Sequence, residues 1–310
     1  MQKMATTGGK HYLVTGGAGF IGANLVEALL RQGAAVRVLD NYAAGRRDDR
    51  VFPDVDYREG DIRDREACRT AAKDVDGIFH LAALPRVQYS MEHPEETHEV
   101  NVTGTLNVLL AARDAKAGRV VISSSAAVYG ASDDRVALRE DAPKHPLSPY
   151  AAHKLASEAY AALFPAAYDV ETVALRYFNV YGPRMDPNGA YALVVGKFLG
   201  QLERGEPMTI AGDGEYYRDY VHVADVAAAN IAAMERESVG KGEAINIGSG
   251  VATSVNTLAE MIGGPVANVD TRPGDPRWAQ ADVALAKKLL GWESTIALAD
   301  GLAALRSPSA

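Results

Sequence analysis

His11-Tyr12-Leu13-Val14-Thr15-Gly16-Gly17-Ala18-Gly19-Phe20-Ile21-Gly22 joins a short apolar strand to a loop with glycine at every third position. From Asn24 to Gln32 the pattern is helical, with Leu25, Val26, Leu29 and Leu30 on one face and Gly33 as the stop. Ala35-Val36-Arg37-Val38-Leu39 reads as a second strand ending in Asp40. Strand, helix and strand in that order form a βαβ unit, which implies a parallel sheet covered by helices on both faces. In this setting the glycines let the backbone approach a pyrophosphate seated on the helix N-terminus. Asp40 is placed to accept hydrogen bonds from adenosine ribose hydroxyls and to repel a 2′-phosphate, which favours NAD; Arg46 and Arg47 keep NADP open. Gly60-Asp61-Ile62 ends a further strand, where Asp61 can serve adenine or cap the helix that follows.

The alternation continues outward from this unit. The pattern predicts a strand near 55–57, a helix over 64–73, a strand at 77–81 and a long helix from about 95 to 115. A strand at Arg119–Ser123, a helix from Pro149 to about Leu163 and a strand from Val170 to Tyr177 follow. The fold class expected is α/β, a Rossmann-type doubly wound parallel sheet over residues 1–178. After residue 178 Gly and Pro become frequent and the rhythm breaks, so 179–310 is expected to form a smaller C-terminal substrate-binding domain. Asp225–Arg236 looks helical and Ala244–Gly248 strand-like, so 222–250 is expected to return to the first domain.

Composition limits the setting. The 310 residues are 47% hydrophobic and 23% charged, as in an ordinary globular protein. A net charge of −8 argues against a nucleic-acid surface and against anionic membranes. Cys68 is the single cysteine, so no internal disulfide is possible and a reducing cytoplasm is the simplest location. No apolar run is long enough to span a bilayer, and the first residues lack the apolar core of a signal peptide.

Ser148-Pro149-Tyr150-Ala151-Ala152-His153-Lys154 carries the chemistry. Ser148 suits a helix N-cap and Pro149 the first helical position. Tyr150 and Lys154 then lie one turn apart on one helix face. A free tyrosine ionises near pH 10, and lowering that by about three units takes ~4 kcal/mol of preferential phenolate stabilisation. A nearby ammonium and the positive end of a helix both act in that direction. In isolation the pair would read as a piece of helix surface.

Four motifs occur in order: Thr15-Gly16-Gly17-Ala18-Gly19-Phe20-Ile21-Gly22, His80-Leu81-Ala82-Ala83, Ser123-Ser124-Ser125-Ala126-Ala127-Val128-Tyr129-Gly130, and Tyr150-x-x-x-Lys154. Arg176-Tyr177-Phe178-Asn179-Val180-Tyr181-Gly182-Pro183-Arg184 and the stretch from Gly212 to Val223 extend the series. Together they resemble the extended short-chain dehydrogenases/reductases, within the NAD-dependent nucleotide-sugar epimerase/dehydratase group, over residues 11 to about 292. The resemblance implies that Ser125 hydrogen-bonds the sugar oxygen that Tyr150 also contacts. It implies that Lys154 binds the nicotinamide ribose and holds Tyr150 ionised. It implies cofactor contacts from Gly16, Gly19, Phe20, Ile21, Gly22, Asp40, Asn41, Asp61, Ile62, Leu81, Ala82, Ala83, Asn101, Ser123, Tyr177 and Phe178. Alone, Asn101 would be a helix-surface amide, and His80 reads as a buried strand residue. For the nucleotide-sugar, the resemblance implies a diphosphate clamp of Arg218 and Arg272, with Asp275 on the uridine ribose. Asn179, Asn188 and Tyr191 would make further substrate contacts.

Relatives that dehydrate or decarboxylate carry acidic residues just after the catalytic Ser/Thr, because a second proton transfer needs a second acid/base. Here Ala126 and Ala127 stand there and cannot move a proton. The resemblance therefore implies hydride chemistry alone, as in 4-epimerisation of UDP-glucose/UDP-galactose. Ala279, where a bulky Tyr can restrict relatives to unsubstituted hexoses, implies room for UDP-GlcNAc/UDP-GalNAc. A UDP-glucuronate 4-epimerase is the alternative, with Arg184 or Arg86 pairing a C6 carboxylate, although Asn179 fits it less well. An NAD-binding regulatory protein without turnover and a net reductase are the alternatives of other classes. The resemblance implies a homodimer paired through the helices near 95–115 and 149–163, with which their small Ala111, Ala112, Ala156 and Ala159 are compatible.

Overall fold

The computed structural model describes residues 9–43, 47–131, 135–186, 193–270 and 276–306. β1 (His11–Thr15) passes through the glycine loop into α1 (Phe20–Arg31) and on to β2 (Ala35–Asp40). β3 (Asp56–Glu59), α2 (Arg65–Ala71) and β4 (Gly77–His80) continue the pattern. Two short helices, α3 (Val87–Glu92) and α4 (Pro94–His98), run through a π-helical turn at Glu99–Thr103 into α5 (Gly104–Ala115). β5 (Arg119–Ser125), α6 (Pro149–Tyr168) and β6 (Glu171–Tyr177) follow. Next come β7 (Asn179–Tyr181), α7 (Val194–Glu203), β8 (Met208–Ala211), β9 (Tyr217–His222), α8 (Val223–Glu235) and β10 (Lys241–Ile247). β11 (Ala252–Ser254), α9 (Val255–Ile262), β12 (Val266–Val269), β13 (Trp278–Ala279), α10 (Ala284–Leu290) and α11 (Leu298–Arg306) complete the order.

Seven strands form one parallel sheet in the order β10-β6-β5-β4-β1-β2-β3. The order reverses direction between β4 and β1, the switch point where such sheets open a crevice at the carboxyl ends of their strands. Successive residues of β1 serve opposite faces. Tyr12 and Val14 pack with Leu25, Leu29 and Val226 on one side, while Leu13 packs with Leu39, Ile78 and Leu109 on the other. β10 joins the sheet by pairing with β6, and α8 packs beside α1. The remaining strands lie outside this sheet. β9 pairs with β7, β11 and β13, β8 pairs with β12, and a separate core forms around Tyr181, Phe198, Met208, Tyr220 and Leu258.

Three sequence expectations about elements need correction. α1 begins at Phe20, four residues earlier than the apolar periodicity indicates, so Gly22 lies inside its first turn. The long helix near 95–115 is three pieces, because the π-helical turn at Glu99–Thr103 interrupts it. α6 runs to Tyr168, well beyond Leu163, with Pro165 inside it.

Candidate active site

The glycine loop is shaped by contacts that leave no space for side chains. Gly16 has φ of +71°, and a Cβ there would lie 2.6 Å from the Ala82 nitrogen. A Cβ on Gly22 would lie 2.1 Å from the Gly16 carbonyl oxygen. Loop and helix are thus packed backbone to backbone. Gly19 occupies the N-cap of α1 without a side-chain cap, and the first turn carries no acid, so its N–H groups remain suited to an anion. Asp40 accepts hydrogen bonds from the Ala18 and Tyr42 amides (2.9 and 2.8 Å), which fixes the carboxylate at the rim of β2. A carboxylate offers about four acceptor positions, so capacity for two ribose hydroxyls is left. These features fit the pyrophosphate and adenosine ribose of NAD.

Around this loop the remaining cofactor positions divide between open contacts and structural supports. Phe20, Ile21, Leu81, Ala82 and Ala83 are half-buried along the loop edges. Asp61 accepts from Asn41 Nδ2 (2.9 Å), from the Arg63 amide and from both guanidinium nitrogens of Arg63, which hold its carboxyl down at about 2. It is not the helix cap: Asp64 caps α2 instead. Ile62 is buried against Gly104. Asn101 is buried in the π-helical turn rather than on a helix surface, and its amide is engaged with the backbone of Leu84 in both directions (2.8 and 3.1 Å). His80 bridges Thr15 and Thr105 through its two ring nitrogens (2.8 and 2.9 Å), and burial, aided by Lys154, pushes its pKa down to about 3. It stays neutral at any physiological pH. Arg47 pairs with Asp49, and Arg46 lies outside the described residues.

The chemistry-bearing side chains meet at the ends of β5 and β6. Ser125 closes β5, pairs in register with Tyr177, and its hydroxyl accepts from the Ala127 amide (3.2 Å) in the turn formed by Ala126–Tyr129. Ser148 caps α6 by accepting from the Ala151 amide (3.2 Å), Pro149 occupies the first helical turn, and the Tyr150 amide donates to Ser90 Oγ (3.1 Å). That anchoring directs Tyr150 inward, where it hydrogen-bonds Ser125. Lys154 follows one turn later, buried, with its ammonium 6.0 Å from the centre of the Tyr150 ring. It donates to the Ser123 carbonyl oxygen (2.7 Å) and hydroxyl (3.2 Å).

Electrostatics here depart from the sequence expectation. Burial raises the Tyr150 pKa, and the hydrogen bond from Ser125 only partly offsets this. Lys154 itself is pulled down to about 8, because burial disfavours its charge more than Glu158 supports it. Burial of the ring thus works against ionisation of Tyr150, the opposite direction to the lowering expected from a neighbouring ammonium. Tyr177 is also turned from the cleft, its hydroxyl donating to Asn230 Oδ1 (2.9 Å). Phe178 packs with Val128, Tyr129 and Ala281.

On the substrate side, Arg218 in β9 stands opposite Ala279 in β13, both half-buried. Asn179 pairs with Tyr220 and donates to the Asp219 carbonyl oxygen (3.3 Å). Asn188, Tyr191, Arg272 and Asp275 lie outside the described residues. The Arg184 guanidinium donates to Asn24 and Glu27 of α1 and to the Asp49 carbonyl oxygen. Among the proposed helix-pairing residues, Ala111 and Ala112 are buried within the chain's own core.

Sequence reasoning missed two carboxylates. Asp219 is wholly buried and accepts from the Ser249, Gly250 and Ala281 amides, tying three segments beside Arg218. Glu158 forms a buried pair with Arg176. Its position four residues after Lys154 was a readable signal.

Comparison with known proteins places these features in context. The model of the NAD dependent epimerase/dehydratase family matches residues 12–248. The UDP-glucose 4-epimerase of Mycolicibacterium smegmatis is 39% identical over 303 residues, covering 94% of this chain and 96% of that one. A crystal structure of UDP-glucose 4-epimerase with UDP-glucose from Thermotoga maritima is 37% identical with a TM-score of 0.88, covering 94% of this chain and 96% of the other. The UDP-N-acetylglucosamine 4-epimerase of Methanobrevibacter ruminantium, in complex with UDP-N-acetylmuramic acid, is 34% identical with a TM-score of 0.89, covering 95% and 96%.

Proposed function

Because this chain belongs to the NAD-dependent epimerase/dehydratase family, we propose that it interconverts the C4 epimers of a UDP-hexose, UDP-glucose and UDP-galactose first. The observation that carries the reading is a single acid/base: Ser125, Tyr150 and Lys154 converge while the adjoining Ala126 and Ala127 offer no second proton carrier. The chemistry supplied by bound NAD is reversible acceptance of a hydride. Gly16, Gly19, Gly22 and Asp40 would hold the cofactor's pyrophosphate and ribose.

Tyr150 takes the proton of the C4 hydroxyl as the C4–H bond breaks, leaving a 4-keto sugar. After the 4-keto sugar has turned over in the pocket, it gives the proton back as hydride returns to the other face of the ketone. Ser125 holds the same oxygen throughout. Burial opposes ionisation of Tyr150, so positive charge beside it is required, and Lys154 supplies the protein's share. Arg218 suits the diphosphate, because its planar fork makes charge-assisted bonds to phosphate oxygens. Ala279, paired with Arg218, carries a small side chain, and we extend the substrate range to UDP-GlcNAc/UDP-GalNAc on that ground.

We also infer a cytoplasmic homodimer paired through α5 and α6, with the outward Ala159 and Leu163 of α6 on the shared face. Sedimentation at twice the chain mass supports the dimer, and a monomer overturns it. Among the described residues no helix is long and apolar enough to cross a membrane.

The function is tested by incubating purified protein separately with UDP-glucose, UDP-GlcNAc and UDP-glucuronate, without added reductant, and separating the products by chromatography. The C4 epimer of UDP-glucose is expected, with that of UDP-GlcNAc beside it. Conversion of UDP-glucuronate alone transfers the assignment to that sugar acid. Conversion of none, with NAD added, refutes the epimerase reading.

A further inference from the structure

We propose that Glu158 is a positioning residue for the reaction, its carboxylate fixed by Arg176 and Ser124 so that the buried Lys154 amine keeps its proton at neutral pH. The proposal rests on the epimerase reading given above. Tyr150, Lys154 and Glu158 are spaced four residues apart along α6, so they form one stripe directed into the protein. All three are buried. Arg176 grips the Glu158 carboxylate with two parallel bonds, Nη2 to Oε2 at 2.7 Å and Nε to Oε1 at 2.8 Å. Ser124 donates to Oε1 at 2.5 Å. Arg176 also donates to the Tyr129 hydroxyl (2.7 Å) and the Glu140 carbonyl oxygen (3.0 Å), and Tyr129 donates to Asn246 Oδ1 (2.6 Å). The carboxylate is thereby fixed to β5, β6 and, through Tyr129, to β10.

A stabilising role alone does not account for this arrangement. A buried ion pair can often be replaced by apolar residues of similar volume at little cost, because desolvation of both charges offsets their attraction. Its location suggests the different role. From the neighbouring elements, His80 of β4, which is neutral, lies close enough to feel the Lys154 charge, and Ser123 of β5 accepts from its ammonium. On α6 itself the titratable neighbours are Tyr150 and Glu158. Lys144 also feels the Glu158 charge, and Tyr129 reaches Glu158 through Arg176. Within this set Glu158 is the carboxylate that favours the Lys154 ammonium, against the burial that disfavours it.

The test compares Glu158→Gln with the paired variant Glu158→Gln/Arg176→Met. The second removes both charges together and leaves no unpaired guanidinium in the core, so it decides the matter if the first does not fold. In folded Glu158→Gln the alkaline limb of kcat should move about one pH unit lower, as expected for loss of a close opposite charge, and in the paired variant lower by less, since the Arg176 cation goes with it, with KM for the UDP-sugar unchanged in both. A purely structural role would lower kcat equally at all pH values. A folded paired variant with the parent alkaline limb overturns the proposal. NMR titration of lysine labelled at Cε, assigned with Lys154→Met, reads the same quantity without turnover. A lower Lys154 midpoint in the variants supports the proposal and an unchanged one overturns it. That readout stays valid if no UDP-sugar is epimerised, so the two failures are distinguishable.

Discussion

Tyr150 faces opposing demands. In the proposed reaction it must be buried to exclude water from a hydride transfer, yet burial raises the pKa of the base that would begin it. Lys154 relieves this only while it is charged. Its pKa is lowered by burial to about 8, below the ordinary 10.5, so the ammonium is complete below that value and is lost as pH rises through it. Turnover is therefore expected to fall on the alkaline side near pH 8, read from kcat against pH; a flat profile to pH 10 would remove Lys154 from the account. Tyr150→Phe deletes the acid/base without changing the packing, and kcat should drop by about a thousandfold while NAD remains bound. Ala279→Tyr places a bulky side chain beside Arg218, so kcat/KM for UDP-GlcNAc should fall far more than for UDP-glucose; equal losses would show that Ala279 does not set sugar size. At this scale motif and spacing point to Ser125, Tyr150 and Lys154, and the fold brings the three together. The direction of the Tyr150 shift is not legible from them, because desolvation depends on what packs around the ring. Asn101 makes the same point: whether its amide faces solvent or the Leu84 backbone depends on a turn that residue types do not specify.

The glycine loop and α1 behave as one element. Extension of the helix back to Phe20 brings Gly22 against the Gly16 carbonyl oxygen, and the uncapped N-terminus is thereby aimed at the crevice. Gly22→Ala should destabilise the protein by about 1–3 kcal/mol, as overpacking does, and weaken NAD binding. Thermal melting and NAD titration of the variant check both, and an unchanged melt would mean the loop has space that the contacts deny. Periodicity placed the start of α1 at Asn24 because the apolar stripe begins at Leu25, whereas the first turn is built from glycine-loop residues without an apolar pattern. The break between α4 and α5 was hidden for the opposite reason. Val100 and Val102 within the π-helical turn and Leu106 and Leu109 just after it keep the apolar character, so no composition change marks the break. α6 was clearer at its start than at its end, since Ser148 and Pro149 are strong signals and Pro165 within the last turns reads as a stop.

Across the whole molecule, the parallel sheet carries the cofactor loop and the Tyr150–Lys154 helix, while β9 and β13 carry Arg218 and Ala279. Two buried or half-buried carboxylates join distant stretches. Asp219 accepts from Ser249, Gly250 and Ala281, and Asp225 accepts from Ser294, Thr295 and Ile296. The α/β class and the order of the main strands were legible because each βα repeat announces itself locally. These carboxylate ties were not, since each joins residues far apart in sequence and no local pattern marks either partner. In the proposed reaction the strands they tie sit beside the sheet that carries Tyr150, where one tyrosine would serve both halves of a reversible oxidation. The most direct test of that claim uses UDP-glucose carrying deuterium at C4, incubated with the protein and NAD in ordinary water. The account predicts a C4 epimer that keeps its deuterium at C4, because the hydride leaves and returns within one turnover. Loss of the label to solvent during epimerisation would contradict it.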